Sequence, residues 1–336
     1  MRSCHNLSAG FDDPNLVSCA GLIPVMTLAE RAGLHDLARA HVRVPGSAGS
    51  NPAVKVAALV AGMVAGADTI DAMDLLRHGG MGRVLTAGRA PSTLGTFLRS
   101  FTFGHVRQLD AVASRVLVNL AGRAPLLAGA DQVTYLDIDD TIKATYGHKK
   151  QGAGYGYSKV KGLNALLAIV STPVSAPVIA ATRLRRGPTN SAKGAARLVA
   201  DALVTAGKAG ATGMITVRAD SAYYNHDVIA AARTGGARFS VTARTDRAVS
   251  RAITQIPEDD WVGITYPHAI YDEDENRWIS DAQVAEIGFT AFTSRRRSEH
   301  ISARLIVRRV KRLGPKPGST DGPRVAGGRG SARKPF

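Results

Sequence analysis

The feature that most constrains this chain is a change of hydrophobic period near residue 131. Before it, apolar residues recur at helical spacing. After it, they form short runs bounded by glycine, the pattern of strands separated by helices. A chain of 336 residues can hold such a helical part and a mixed sheet, each with its own core.

Five segments between residues 20 and 125 read as helices. "TLAERAGLHDLARAHV" (27–42) opens with Thr27 at a cap position and Glu30 three residues on. "NPAVKVAALVAGMVAG" has proline in its first turn and apolar residues on nearly every side, so it is expected to be buried. "DTIDAMDLLRHGG" stops at Gly-Gly, and "APSTLGTFLRSF" and "GHVRQLDAVASRVLVNLAG" follow closely. Short helices carrying Arg99, His105 and Arg107 suit either a small DNA-binding bundle or a plain helical scaffold.

Beyond residue 131, "QVTYLDID" reads as a strand. "GYGYSKVKGLNALLAIVST" reads as two more, connected through "HKKQGAGYG". "TNSAKGAARLVADALVTAG" (189–207) is an amphipathic helix with Asn190 or Ser191 as its cap. "GMITVRAD", "NHDVIAAARTGG" and "ARFSVTAR" then alternate strand, helix, strand, which predicts an α/β fold with a mixed sheet. Residues 258–310 read as short strands and turns.

Composition narrows the function. The longest apolar stretch, "VAALVAGMVAGA" (56–67), is about half of a bilayer span, and the N-terminus lacks an apolar signal region. No membrane segment is expected. Only Cys4 and Cys19 occur, so a disulfide framework is excluded and a reducing cytoplasm is expected. With His5 they make a poor zinc set and read as ordinary thiols. The net charge is +16, and residues 295–336 hold 13 Lys+Arg against two acids. That excess points to nucleic acid or another polyanion.

"TYLDIDDT" (134–141) puts three carboxylates at the end of an apolar strand. Strand alternation sends Asp137 and Asp139 to one face and Asp140 to the other. A second strand-terminal acid, Asp220 of "RADS", comes about 80 residues later. Acids at neighbouring strand ends can share a crevice, and a divalent cation relieves their repulsion. Such a site suits phosphodiester chemistry. The plain reading of Asp220 is a cap on the next segment. A second chemistry also fits: Asp137, Asp139 and Thr141 match the D-x-D-x-T of haloacid-dehalogenase-like phosphatases, with Asp137 as nucleophile and Asp139 as acid/base. Against it, some 130 residues precede the strand and a Gly/Lys-rich segment follows.

Three blocks together resemble the DDE transposases of bacterial insertion sequences: "YLDIDDTIKATYGHKKQGAGYGYSKVKGLNALLA", "TVRADSAYY" and "TAFTSRRRSEHISARLIVRR". The likeness covers roughly residues 12–312. It implies a ribonuclease-H-like catalytic core, a helical DNA-binding region before it and a β-rich insertion. The expected domains are 1–130 (helical, DNA-binding), 131–257 (core), 258–312 (insertion) and 313–336 (a disordered basic tail). The resemblance implies Asp139 as first catalytic acid and metal ligand, with Asp137 as the competing or assisting residue, and Asp220 as the second. Lys149, Lys150, Lys159 and Lys161 would then meet DNA phosphates. Tyr155 and Tyr157 are expected to pack between strands, with stacking on a flipped or frayed base as the alternative. The implied cofactor is Mg²⁺ or Mn²⁺, and the implied partners are double-stranded transposon ends, target DNA and a second copy of the chain.

The third acid of the family, a glutamate on a helix after the insertion, has no clear counterpart. Glu258, Glu273, Glu275, Glu286 and Glu299 are the candidates. After "RLIVRRVKRL" the chain runs into a tail in which fifteen of 23 residues are Gly, Pro, Ala or Arg, whose codons are rich in G and C. The tail reads as out-of-frame translation of a GC-rich gene, so the catalytic helix is expected to be lost and cleavage impaired. A natural DNA-gripping tail is the alternative, as is a DNA-binding remnant without catalysis.

Overall fold

Gly33, with φ of 85°, breaks the stretch 27–42 into two helices. These are α1 (Leu22–Arg31) and α2 (Leu34–His41). Thr27 therefore lies inside α1 and donates to the Ile23 carbonyl at 2.8 Å instead of capping. The structure is a computed structural model, and it describes residues 13–86, 88–147, 150–264, 271–272, 277–278 and 282–310. The tail and the Cys4/His5 pair lie outside the described residues. Within them, no helix is long and apolar enough to cross a membrane.

Helix α3 (Pro52–Val64) starts on its proline and is buried on nearly every side, as expected; only Met63 and Val64 at its end are exposed. The "DAMDLL" segment is a 3₁₀ helix. After it come α4 (Met81–Val84), α5 (Pro91–Arg99) and α6 (Phe103–Ala121). Leu22, Ala38, Val42, Leu76, Leu94 and Phe97 form the helical core. Each large side chain removed from water contributes roughly 1.5–3 kcal/mol.

The sheet is built on β1 (Val133–Ala144). A two-residue β2 (Gly154–Tyr155) and the long β3 (Lys161–Ser171) follow. Next come β4 (Val178–Arg186), α7 (Ala195–Lys208), β5 (Met214–Ala219), α8 (His226–Thr234) and β6 (Arg238–Val241). β3 is antiparallel to β1 and β4 to β3, whereas β5 is parallel to β1 and β6 to β5. The run 154–172 thus holds two strands of unequal length, the two-residue β2 and the long β3, and the next full strand lies further on, at β4. Its "TRLRR" hides the strand pattern because Arg183 and Arg185 point to partners on the inner side: Asp201, and Asp140 with Asn164. Helix α7 begins after left-handed Gly194, so neither Asn190 nor Ser191 caps it; Asn190 accepts instead from the Ala192 amide.

On β1, Leu136 and Ile138 alternate inward and meet Leu166, Ala168 and Val170 of β3 and Val217 of β5. Helices α7 and α8 cover that face with Leu198, Val199, Ala202 and Val228. Helix α6 lies along β4 and α7, and Asp201 at that seam receives both Arg183 and Arg197.

The chain divides into two compact units, Met1–Arg244 and Thr245–Phe336. The second unit opens with α9 (Arg247–Ile253), capped by Asp246 through the amides of Ala248 and Val249. It continues through β7 (Val262–Ile264), β8 (Tyr271–Asp272), β9 (Arg277–Trp278), β10 (Ala282–Ala291) and β11 (Ile301–Val310). β10 pairs antiparallel with both β11 and β7. Arg309 stacks over Trp261 at 4.0 Å and pairs with Glu258.

Candidate active site

The three carboxylates of β1 have three different fates. Asp140 points inward with Leu136 and Ile138, where an unpaired charge would cost several kcal/mol. It accepts from Asn164 Nδ2 at 2.7 Å and Arg185 Nη2 at 2.6 Å. The Arg185 side chain is 6% exposed. Its Nε donates to Asn164 Oδ1 at 2.9 Å, and its Nη1 donates to the carbonyls of Ser191 and Lys193 at 2.9 and 2.7 Å. Burial lowers the Arg185 guanidinium below its ordinary value, while Asp140 pulls it back up. The pair ties β1, β3 and β4 to the loop before α7.

Asp137 faces the other side of the sheet and is occupied. Arg218, its register partner on β5, donates Nε to Oδ1 at 2.6 Å and Nη2 to Oδ2 at 2.7 Å. The guanidinium lies 4.1 Å from the centre of the Tyr135 ring. Hydrogen bonding to Asp137 raises Arg218 above its usual value. Both oxygens that a phosphatase nucleophile would need are therefore engaged.

Asp139 is exposed and has no ion pair among the described residues; its Oδ1 accepts the amide of Asp140 at 2.8 Å. Asp220 directly follows Ala219, which pairs with Ile138, so continuing the parallel register sets Asp220 beside Asp139. Asp220 does serve as a cap: its Oδ1 accepts from the Ala222 amide at 2.9 Å, opening the 3₁₀ turn Ser221–Tyr223. Capping occupies one oxygen and leaves the carboxylate otherwise open. Free carboxylate oxygens on neighbouring strands are the donors that Mg²⁺ or Mn²⁺ prefers.

Sequence reasoning missed Tyr223, Asn164 and Arg185. Tyr223 is 1% exposed, and its hydroxyl has no hydrogen-bond partner among the described residues. Burial, with Asp140, Asp139 and Asp220 nearby, drives its phenol well above the usual range, so it stays neutral. "SAYY" gave no sign of this, since a tyrosine after a strand-end acid reads equally well as surface.

Of the four lysines expected to meet phosphates, Lys149 lies outside the described residues. Lys150 and Lys159 are exposed, and Lys161 reaches the Gly147 carbonyl at 3.1 Å. Tyr155 and Tyr157, expected to pack between strands, are instead exposed, because β2 is too short to cover them. Among the third-acid candidates, Glu273 and Glu275 lie outside the described residues. Glu258, Glu286 and Glu299 are paired within the second unit with Arg309, Arg304 and Arg295. Among the described residues no group of three His, Cys, Asp or Glu side chains could hold a metal ion.

A family model described as transposase DDE domain group 1 matches residues 2–310. No curated protein matches the sequence. Among solved structures, a chain of the crystal structure of the Mos1 strand transfer complex is similar at 10% identity with a TM-score of 0.21. The similarity covers 60% of this chain and 63% of that one, so this chain spans less than two thirds of its length.

Proposed function

The chain belongs to the DDE transposase family, and from that premise we propose that it binds transposon ends and target DNA and directs metal-dependent strand cleavage and transfer through Asp139 and Asp220. One observation supports the assignment: among the described residues, Asp139 is the β1 carboxylate without a cationic partner, and continuing the register beyond Ile138–Ala219 would set Asp220 beside it. The ribonuclease-H-like reading of the core draws support from the strand arrangement, three antiparallel strands followed by two parallel ones with the acids on the central pair.

Asp139 and Asp220 would hold Mg²⁺ or Mn²⁺, which when bound supplies Lewis acidity to a phosphodiester and its attacking oxygen. The protein's own part is positional. The Asp140–Arg185 pair anchors β1 directly beside Asp139, and the Asp220 cap fixes the second carboxylate on its turn. Lys150 and Lys159 offer cations to the DNA backbone. Where Asp139 and Asp220 alone hold the ion, cleavage is expected to be slow, since a third ligand normally completes the electrostatic stabilisation of the transition state. The insertion-sequence origin, a cytoplasmic location and a homodimeric working form belong to the same proposal.

The test is Mn²⁺-dependent nicking of supercoiled DNA together with calorimetric Mn²⁺ binding. Asp139→Asn and Asp220→Asn should each abolish binding, whereas Asp137→Asn should retain it. Loss of binding in Asp137→Asn with retention in Asp139→Asn would overturn the assignment.

A further inference from the structure

A groove of about 680 Å³ runs between α6 and α7, over Ala181 and Thr182 of β4. Ala111, Arg115 and Val118 of α6 line one wall, and Asp201, Val204 and Lys208 of α7 line the other. Residues three or four apart share a helix face, so each helix turns one continuous row toward the groove. Its volume lies within the range of small-molecule sites, about 300–1,000 Å³.

The charges of the groove do not balance. Four cations line it, Arg107, Arg115, Arg197 and Lys208, against two carboxylates, Asp110 and Asp201. Both carboxylates are already answered. Asp110 accepts from Thr182 and Arg107. Asp201 accepts from Arg197 Nε at 2.9 Å and Arg183 Nη2 at 3.2 Å, with Arg107 Nη2 3.7 Å away. Arg183 is thus a fifth cation on the same two acids, and its buried Nε has no hydrogen-bond partner among the described residues. Arg115 and Lys208 have no ion pair among the described residues; Arg115 donates to the Ala111 carbonyl of its own helix. An anion entering the groove meets guanidinium and ammonium donors that its acids leave free.

The groove also has an apolar side. Val204 is 58% exposed there, and Val118, Ala111 and Ala181 line the groove with it. A bare inorganic anion would leave that side uncovered, and a purely apolar ligand would strip water from unpaired cations. We infer that the groove between α6 and α7 binds a small phosphorylated molecule with an apolar body, of which a nucleotide is the simplest case. Helix α7 covers the sheet face that Leu136 and Ile138 enter, and strand alternation turns Asp139 away from it. The site is therefore separate from the acids, and it does not depend on the DNA-binding reading.

Calorimetry on the full chain in EDTA, with ATP, inorganic pyrophosphate and adenosine as probes, tests the site without catalysis. ATP should bind one to one and more tightly than either fragment. Arg115→Gln with Lys208→Gln should weaken ATP about tenfold or more, the loss expected for charge-assisted hydrogen bonds. Val204→Trp fills the groove without changing its charge and should abolish binding. Lys150→Gln with Lys159→Gln, on the basic hairpin, should change ATP affinity less than about twofold, because distant surface charges are screened. Equal loss from the hairpin and groove variants overturns the site, as does full ATP binding in Val204→Trp. Pyrophosphate binding as tightly as ATP overturns the apolar half of the assignment. Displacement of ATP by a short blunt duplex would make the groove a DNA-backbone surface and overturn it as well. No ATP binding by the parent chain overturns the site and leaves the DNA-binding reading standing.

Discussion

Asp137, Asp139 and Asp140 lie within four positions yet do three jobs, and the difference is set by what faces each. A half-exposed bidentate pair such as Asp137–Arg218 contributes little, because solvent screens it. An Asp137→Ala/Arg218→Ala double-mutant cycle in urea should give a coupling of about 1 kcal/mol or less. Tyr223 tests the opposite limit. A buried hydroxyl without a partner costs about 1–3 kcal/mol of desolvation. Tyr223→Phe should therefore leave stability unchanged or raise it by about 1 kcal/mol. A fall of more than 1 kcal/mol in the urea unfolding free energy would show that the hydroxyl has a partner, and the assignment would fail.

Among the elements, β4 is the least strand-like in sequence and the most consequential in structure. Its arginines point to partners on α7, β1 and β3, so its inner face reads as polar. Removing Arg185 leaves Asp140 buried and unpaired, so Arg185→Met should destabilise by about 3–5 kcal/mol. Adding Asp140→Leu should recover much of that loss, since a buried pair exchanged whole for apolar groups is close to neutral. Equal unfolding free energies for the single and double variants would show that the pair is not coupled. The element pattern explains the helical misreadings too. Gly33 at positive φ splits a stretch whose apolar spacing continues unbroken across it, and a cap at Thr27 is lost because α1 starts five residues earlier.

At the scale of the molecule, the unit Met1–Arg244 contains both the helical cluster and the sheet cluster. A fragment ending at Arg244 should therefore fold cooperatively, giving dispersed amide resonances and a single urea transition. A collapsed spectrum would show that the core needs residues beyond 244. The same unit has a pH signature. Burial raises the Asp110 carboxyl above its ordinary value, despite hydrogen bonds from Thr182 and Arg107. The folded chain thus keeps that proton at pH values where the unfolded chain has lost it. Asp110 therefore contributes stability below the ordinary carboxylate range that is lost as pH rises through its raised value. Asp110→Asn should flatten that part of the stability profile; an unchanged slope from pH 3 to 7 would exclude Asp110 as its source.

Much of this protein is legible in one dimension. Alternation alone separates Asp140 from Asp137 and Asp139, because the strand period of two is a local property of the backbone. The strand-end position of Asp220, the helix–sheet change near residue 131 and the acid-free basic stretch after Asp140 are likewise written in residue order. What the tertiary structure alone decides is which charges are answered. Arg218 and Arg185 lie 81 and 45 residues from the acids they hold, and only strand pairing brings them into contact. Among the described residues those two arginines are taken by Asp140 and Asp137, and Asp139 has no ion pair. Tyr155 and Tyr157 are exposed because the strand that holds Tyr155 spans two residues, a length that no local pattern reports.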